Sequence, residues 1–355
     1  MYKIHQILSD YDIPLDAKVY PIGSGLINHT WEIVHQGKKY ILQRINQNVF
    51  KTPEDIAGNI RLIGNYLSIH YPQYLFIKPI LTKDGHDLVI LPDDGYYRMF
   101  PFLENSFTID VALSPDEAYQ AAQQFAKFTR VLNDFPVEKL KLTIPDFHNL
   151  PLRYRQFEAS LTKGNIHRIK ESKDAIDYLQ SNHSIVSTFE EICHHPHFKV
   201  RVMHLDTKIS NVLFDHHHHG LCVIDLDTTM PGYFISDVGD MIRTYVSPVS
   251  EEEMDLSKIQ IRTEFFKAIV TGYLHEMNEI LSDDEKDHFV YAGKFMIYMQ
   301  ALRFLTDYLN EDIYYESKYP GHNFHRAMNQ ITLLQRLIEK EADLQSLIPK
   351  EVILS

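Results

Sequence analysis

The apolar positions change period once along this chain. Over the first hundred residues they alternate, as in strands whose two faces differ. Val19-Tyr20-Pro21-Ile22 runs into Gly23-Ser24-Gly25, and Thr30-Trp31-Glu32-Ile33-Val34 leaves it. Gln36-Gly37 makes a hairpin turn, and Tyr40 to Ile45 forms a third strand. Thr52-Pro53-Glu54-Asp55 then opens a helix, with a cap, a proline at its first position and acids in its first turn. Ile56, Ile60, Ile63 and Leu67 follow at helical spacing. Two more strands are expected around Lys83-Asp84-Gly85, the second reaching Phe102.

After residue 105 the period becomes helical. Ser114-Pro115-Asp116-Glu117 reads as a capping box for a helix through Asn133. Further helices are expected at about 151–163, 172–195, 259–281, 284–310 and 323–342, with strands confined to 200–226. The pattern describes an α+β protein of two lobes, an N-terminal β-rich lobe over 1–103 and a helical lobe over 104–355. Neither repeats nor low-complexity linkers interrupt it.

Composition narrows the class. Hydrophobic residues make up 44% and charged residues 23%, values ordinary for a water-exposed globular enzyme. Lys and Arg number 35 against 48 Asp and Glu, a net charge of −13, which argues against nonspecific nucleic-acid binding. Two cysteines, Cys193 and Cys222, give no disulfide framework, and the chain shows neither a signal-peptide pattern nor a membrane-length apolar run. A cytoplasmic location is expected, away from membranes, with a monomer or weak homodimer as the assembly.

The candidate chemistry lies between His204 and Asp227. The order His-Leu-Asp-Thr-Lys-Ile-Ser-Asn, a hairpin, then Ile-Asp-Leu-Asp suits phosphoryl transfer from a nucleotide. Asp206 is placed to accept a proton from a substrate hydroxyl. Asn211 and Asp225 offer the oxygen ligands that Mg2+ requires to accompany ATP. Asp227 faces the same way if the strand continues, and can bind metal or a substrate hydroxyl. His204 suits a structural role in the loop backbone. Asp237 and Asp240 read as caps bracing the metal loop, and His216 to His219 as a solvated hairpin tip.

Gly23, Ser24 and Gly25 form a turn whose backbone amides can approach phosphates. The third strand lacks the lysine that kinases use there, so Arg44 is the candidate phosphate cation, with Glu54 or Asp55 as its partner. Phe100 and Phe102 stand at the lobe junction, where they can pack on adenine or belong to the core. Arg303 and Asp307, four apart on a helix, can form a surface ion pair.

These motifs resemble the aminoglycoside-phosphotransferase and choline-kinase superfamily, which shares the protein-kinase fold. The segments 23–31, 40–46, 224–232, 236–243 and 302–309 are most similar to N-acetylhexosamine 1-kinases. The resemblance implies a protein-kinase-like two-lobe fold and an ATP- and Mg2+-dependent kinase of the anomeric hydroxyl of N-acetylglucosamine or N-acetylgalactosamine. It also implies that Asn28, His29, Asp206, Asp227, Arg303 and Tyr314 contact the sugar. Kinases of amino alcohols or aminoglycosides, and a non-catalytic pseudokinase, are the competing readings. An arginine in the pocket opposes a cationic substrate, and the intact Asp206, Asn211 and Asp225 oppose a dead enzyme.

Overall fold

The structure is a computed structural model that describes residues 2–22 and 27–349. The glycine turn at Gly23, Ser24 and Gly25 lies outside the described residues. Helix α1 (Tyr2–Asp10) precedes β1 (Lys18–Pro21), β2 (His29–His35) and β3 (Lys38–Arg44). Helix α2 (Pro53–His70), β4 (Val89–Leu91) and β5 (Gly95–Pro101) complete the first lobe. The sheet is antiparallel with order β1-β2-β3-β5-β4. Alternation along its strands sends Ile33, Leu42, Met99 and Val89 to one face, where Ile7 and Leu8 of α1 close a small core. The strand reading did not foresee α1, whose nine residues are short for a helix signal.

The last hairpin turns at 92–94 rather than at Lys83-Asp84-Gly85. The earlier segment contributes only a bridge from Ile80 to Met99, and Gly85 closes a loop turn with φ +82°. Turn residues mark a turn but not the strands it joins.

The second lobe begins with α3 (Pro115–Val131), whose Ser114–Glu117 capping box forms as expected. Then come α4 (Leu150–Lys163), α5 (Ile166–Glu171), α6 (Lys173–Ser181) and α7 (Ser184–His194). Short strands β6 (Arg201–Met203), β7 (Val212–Phe214), β8 (Gly220–Val223) and β9 (Met230–Gly232) carry the candidate chemistry. They are followed by α8 (Phe234–Tyr245), α9 (Thr263–Met277), α10 (Asp283–Asp287), α11 (Phe289–Leu309), α12 (His322–Glu339) and α13 (Glu341–Ser346). Two helices expected as continuous, 172–195 and 284–310, each break once, at Asn182-His183 and at His288. No helix among the described residues is long and apolar enough to cross a membrane.

The large core is built around α11, whose buried residues encircle it, as befits a helix with helical neighbours on every side. Helix α2 packs Ile56, Ile60 and Ile63 into this same core. Its buried Asn59 donates to the carbonyls of Lys141 (2.9 Å) and Thr229 (3.2 Å), so the first lobe's helix is tied to the loop after Asp227.

Strand β6 is fixed at its base by a buried ion pair. Arg201 Nη1 and Nη2 meet the two Glu285 carboxylate oxygens at 2.6 and 3.0 Å, and both side chains are fully enclosed. Replacing Arg201 with Met strands a buried carboxylate, so urea unfolding should show a loss of about 3–5 kcal/mol. The double replacement Arg201→Met with Glu285→Met should recover a large part of it, which distinguishes charge imbalance from lost packing.

Candidate active site

The loop after β6 follows from its hydrogen bonds. His204 is fully buried, its ring edge-on to Phe125 at 5.0 Å. Its Nε2 lies 2.9 Å from the Ile224 carbonyl, and the Asp206 amide faces Nδ1 at 3.4 Å, so the Nε2–H tautomer fits both. The ring thereby clamps Asp206 and Asp225 from between. Leu205 adopts φ +66°, a left-handed conformation that costs a bulky residue about 1–2 kcal/mol. What holds it is Asp237 on the first turn of α8, which accepts from the amides of His204 (3.0 Å) and Leu205 (2.8 Å). One turn on, Asp240 accepts from the Thr207 amide at 2.9 Å and from Arg243. Burial raises the Asp237 pKa to about 6, with His204 and the two amides pulling against it.

Asp206 stands at the end of this brace. Its Oδ2 accepts from Asn211 Nδ2 at 2.9 Å and pairs with Lys208 Nζ at 3.2 Å. Asn211 also donates to the Asp206 carbonyl at 2.8 Å, which leaves its amide oxygen for another ligand. The Ile224 amide donates to the Asn211 carbonyl at 2.9 Å, locking β8 to the loop. Asp225 follows at φ +61°, a second left-handed residue. The chain then enters a 3-10 turn over Leu226–Thr228, so strand alternation is not what brings Asp227 to the site.

Three carboxylates converge here. Asp225 has its pKa raised to about 7 by burial, then by Asp227 and Asp206, although Lys208 and Arg98 oppose the shift. Two cations do not offset this negative charge. Carboxylate and amide oxygens in excess of local positive charge form a donor set that fits a hard divalent cation such as Mg2+.

Arg98 was not singled out by sequence, and it, rather than Arg44, lines the interlobe cleft. Gln43, not Arg44, faces the cleft from β3, and its Oε1 accepts from Arg98 Nε (3.1 Å) and Nη2 (2.9 Å). Arg98 Nη1 lies 2.5 Å from Asp227 Oδ1, with both side chains at most 3% exposed. Its guanidinium also sits 5.1 Å from the centre of the Phe100 ring. Arg44 belongs to the opposite face and pairs with Asp94 at 3.6 Å, not with Glu54 or Asp55. The physical reason is register: Leu42 fills the outer core, so its alternates Ile41 and Gln43 face the cleft. A strand arginine two residues from Phe100 was the available signal.

Arg98, Gln43, Thr30, Phe100, Phe102 and Asp225 line an interlobe cavity of about 350 Å³, its floor set by Leu213 and Val223. Asn28 reaches the same place, donating from Nδ2 to Asp227 Oδ2 at 2.8 Å while its Oδ1 accepts from the Asn46 amide. His29 does not accompany it. It is exposed on the face opposite Thr30, its ring 6.2 Å from Trp31.

Arg303 and Tyr314 line a second cavity of about 380 Å³ together with Arg153, Lys163, Asp307 and Tyr315. The surface ion pair does not form. Asp307 instead accepts from the amides of Tyr314 and Tyr315, each at 2.8 Å, and from Asn323. Among the described residues Arg303 meets only Gln300 (3.4 Å) by hydrogen bond, and it rests against the Tyr315 ring at 5.3 Å. Half-buried His148 has its pKa lowered to about 3, by desolvation first and then by Arg303, Arg243 and Arg153. Since Arg243 holds Asp240, this basic group adjoins the catalytic-loop brace. His216 to His219 form the β7–β8 hairpin tip, as expected.

A model of the phosphotransferase enzyme family matches residues 18–268. Solved structures with the same two-lobe, kinase-like fold include a microcompartment-associated aminopropanol kinase. It is 16% identical, with 97% of this chain and 98% of that chain covered and a TM-score of 0.65. The amicoumacin kinase hAmiN, solved with AMP-PNP and Ca2+, is also 16% identical, covers 98% and 93%, and has a TM-score of 0.62. A choline/ethanolamine kinase family protein from Mesorhizobium loti is 12% identical, covers 98% and 99%, and has a TM-score of 0.60.

Replacing Asp237 with Ala would leave two buried amides without acceptors. Thermal or urea unfolding should report a loss of about 2–5 kcal/mol. An unchanged stability would show that the loop geometry does not depend on this carboxylate.

Proposed function

As this chain belongs to the phosphotransferase enzyme family, we propose that it is an ATP- and Mg2+-dependent kinase of a neutral sugar. The proposed acceptor is the anomeric hydroxyl of an N-acetylhexosamine. The supporting observation is the second cavity, where Arg153 and Arg303 stand without a carboxylate ion-pair partner among the described residues while Asp307 is spent on backbone amides. A pocket of unpaired arginines repels amino alcohols and aminoglycosides, and it suits hydroxyls and an acetamide carbonyl.

In this reading the nucleotide lies in the interlobe cavity, with Phe100 and Phe102 beside the base. Arg98 supplies the phosphate-directed cation that β3 lacks, reaching from β5 to the place Gln43 leaves open. Asn211, Asp225 and Asp227 would hold Mg2+, which when bound offsets charge on the phosphates. Asp206 orients the acceptor hydroxyl and takes its proton as the new O–P bond forms, its carboxylate paired with Lys208. Asn28 and Asp227 present polar groups to the sugar side.

Asp206→Asn should lower turnover by about 10²–10⁴ while leaving nucleotide affinity in place, read by steady-state kinetics beside calorimetric nucleotide titration. Near-normal turnover would remove Asp206 as the base. The substrate class is tested by ATP turnover with N-acetylglucosamine, N-acetylgalactosamine, choline and an aminoglycoside, in the parent and in Arg303→Ala. The variant should raise KM for the hexosamine about ten- to a hundredfold and leave KM for ATP unchanged. Turnover confined to the cationic substrates would overturn the sugar reading.

A further inference from the structure

A few residues before the proposed catalytic loop, the short connection between α7 and β6 opens with His195-Pro196-His197-Phe198. It runs beside α10. The ligand atoms of His195, His197 and Asp284 all lie within 4.8 Å of one another. His197 Nδ1 pairs directly with an Asp284 carboxylate oxygen. The His195 and His197 ring centres are 5.2 Å apart. We propose that these three side chains form a binding site for a first-row transition-metal ion, Zn2+ in the first instance.

Chemistry selects the ion. Two imidazoles and one carboxylate are borderline nitrogen and oxygen donors, which favour Zn2+, Ni2+ or Cu2+ over Mg2+ or Ca2+. Donors around a tetrahedral Zn2+ stand roughly 3.3 Å apart, given bond lengths near 2.0–2.1 Å. The observed spacing therefore needs only side-chain rotation to close. Three protein ligands leave the fourth position to water.

The frame beneath the ligands is rigid, which separates this cluster from a chance meeting of exposed side chains. The His197 carbonyl accepts from Ser282 Oγ at 3.1 Å, and the Lys199 amide donates to Glu285 Oε1 at 3.2 Å. The enclosed Arg201–Glu285 pair lies directly below. Phe198, between the ligands and β6, is buried with its ring 5.0 Å from that of His288. Pro196 fixes one backbone angle between the two histidines. Two ligands thus come from one stiff loop and the third from a helix bolted to it, so little ordering remains when a metal arrives. A surface His–Asp ion pair alone would need neither the second histidine nor this frame. Because β6 leads straight into His204, a bound ion would stiffen the base on which the catalytic loop is mounted.

The hairpin-tip histidines compete for the same metals, so the test starts from full-length protein with His216→Ser, His217→Ser, His218→Asn and His219→Ser. Zn2+ is titrated against a chromophoric chelator in excess Mg2+, which occupies oxygen-rich sites but competes poorly for imidazole. One equivalent should bind with micromolar or tighter Kd. At a hundredfold excess over Kd, Zn2+ should raise Tm by about 2–6 °C. His195→Ala, His197→Ala and Asp284→Asn, each added singly, should weaken binding at least tenfold and remove the Tm shift. His167→Ala, at an exposed histidine elsewhere, should change neither. Absence of binding in the starting variant, or an affinity unmoved by the His195 and His197 replacements, overturns the proposal. Neither readout uses phosphoryl transfer, so the result is independent of the substrate assigned above.

Discussion

Two carboxylates on successive turns of α8 hold the Asp206 loop in a shape it would not adopt alone. Asp237 collects the amides of His204 and Leu205, and Asp240 collects that of Thr207. Left-handed Leu205 is affordable only while those bonds persist. Burying two acids is costly, and the protein offsets the cost unequally. Asp240 has the Arg243 guanidinium, while Asp237 has backbone amides and the field of His204. His204 completes the brace from the other side, joining the loop to the Ile224 carbonyl just before Asp225. The positions of Asp206, Asn211 and Asp225 all descend from this one network.

The site that results is short of positive charge. Asp206, Asp225 and Asp227 share a small volume with Lys208 and Arg98, and burial, followed by the two neighbouring carboxylates, raises the Asp225 pKa. Such a site is poised for cation binding in a protein of net charge −13. Arg98 is the cation that joins the lobes here. It crosses from the first lobe to Asp227 in the second, so the lobes meet through an enclosed ion pair as well as through Asn28 and Asn59. A pair of this kind contributes more to defining the lobe arrangement than to net stability, since desolvation consumes much of its attraction.

The motif-bearing half of the site was legible in the residue order. Asp206, Asn211 and Asp225 converge because their spacing around one hairpin leaves the backbone few alternatives, and the local periodicities gave the lobes, α2, α3 and the sheet's first three strands. His204 and the α8 carboxylates were also readable, because buried polar groups in a tight loop must bond its backbone. What the residue order could not decide is which face each side chain takes and which partner it meets across the fold. Arg44 and Gln43 differ by one position, and only the packing of Leu42 against α1 sends Gln43 to the cleft. The same one-residue logic sends His29 outward. Arg98 lies 129 residues from Asp227, and Asp307 prefers the Tyr314 and Tyr315 amides to the arginine one helical turn away. Period and motif are local properties that a chain carries in its order; ion pairing and facing are long-range, and were settled only when the two cores closed.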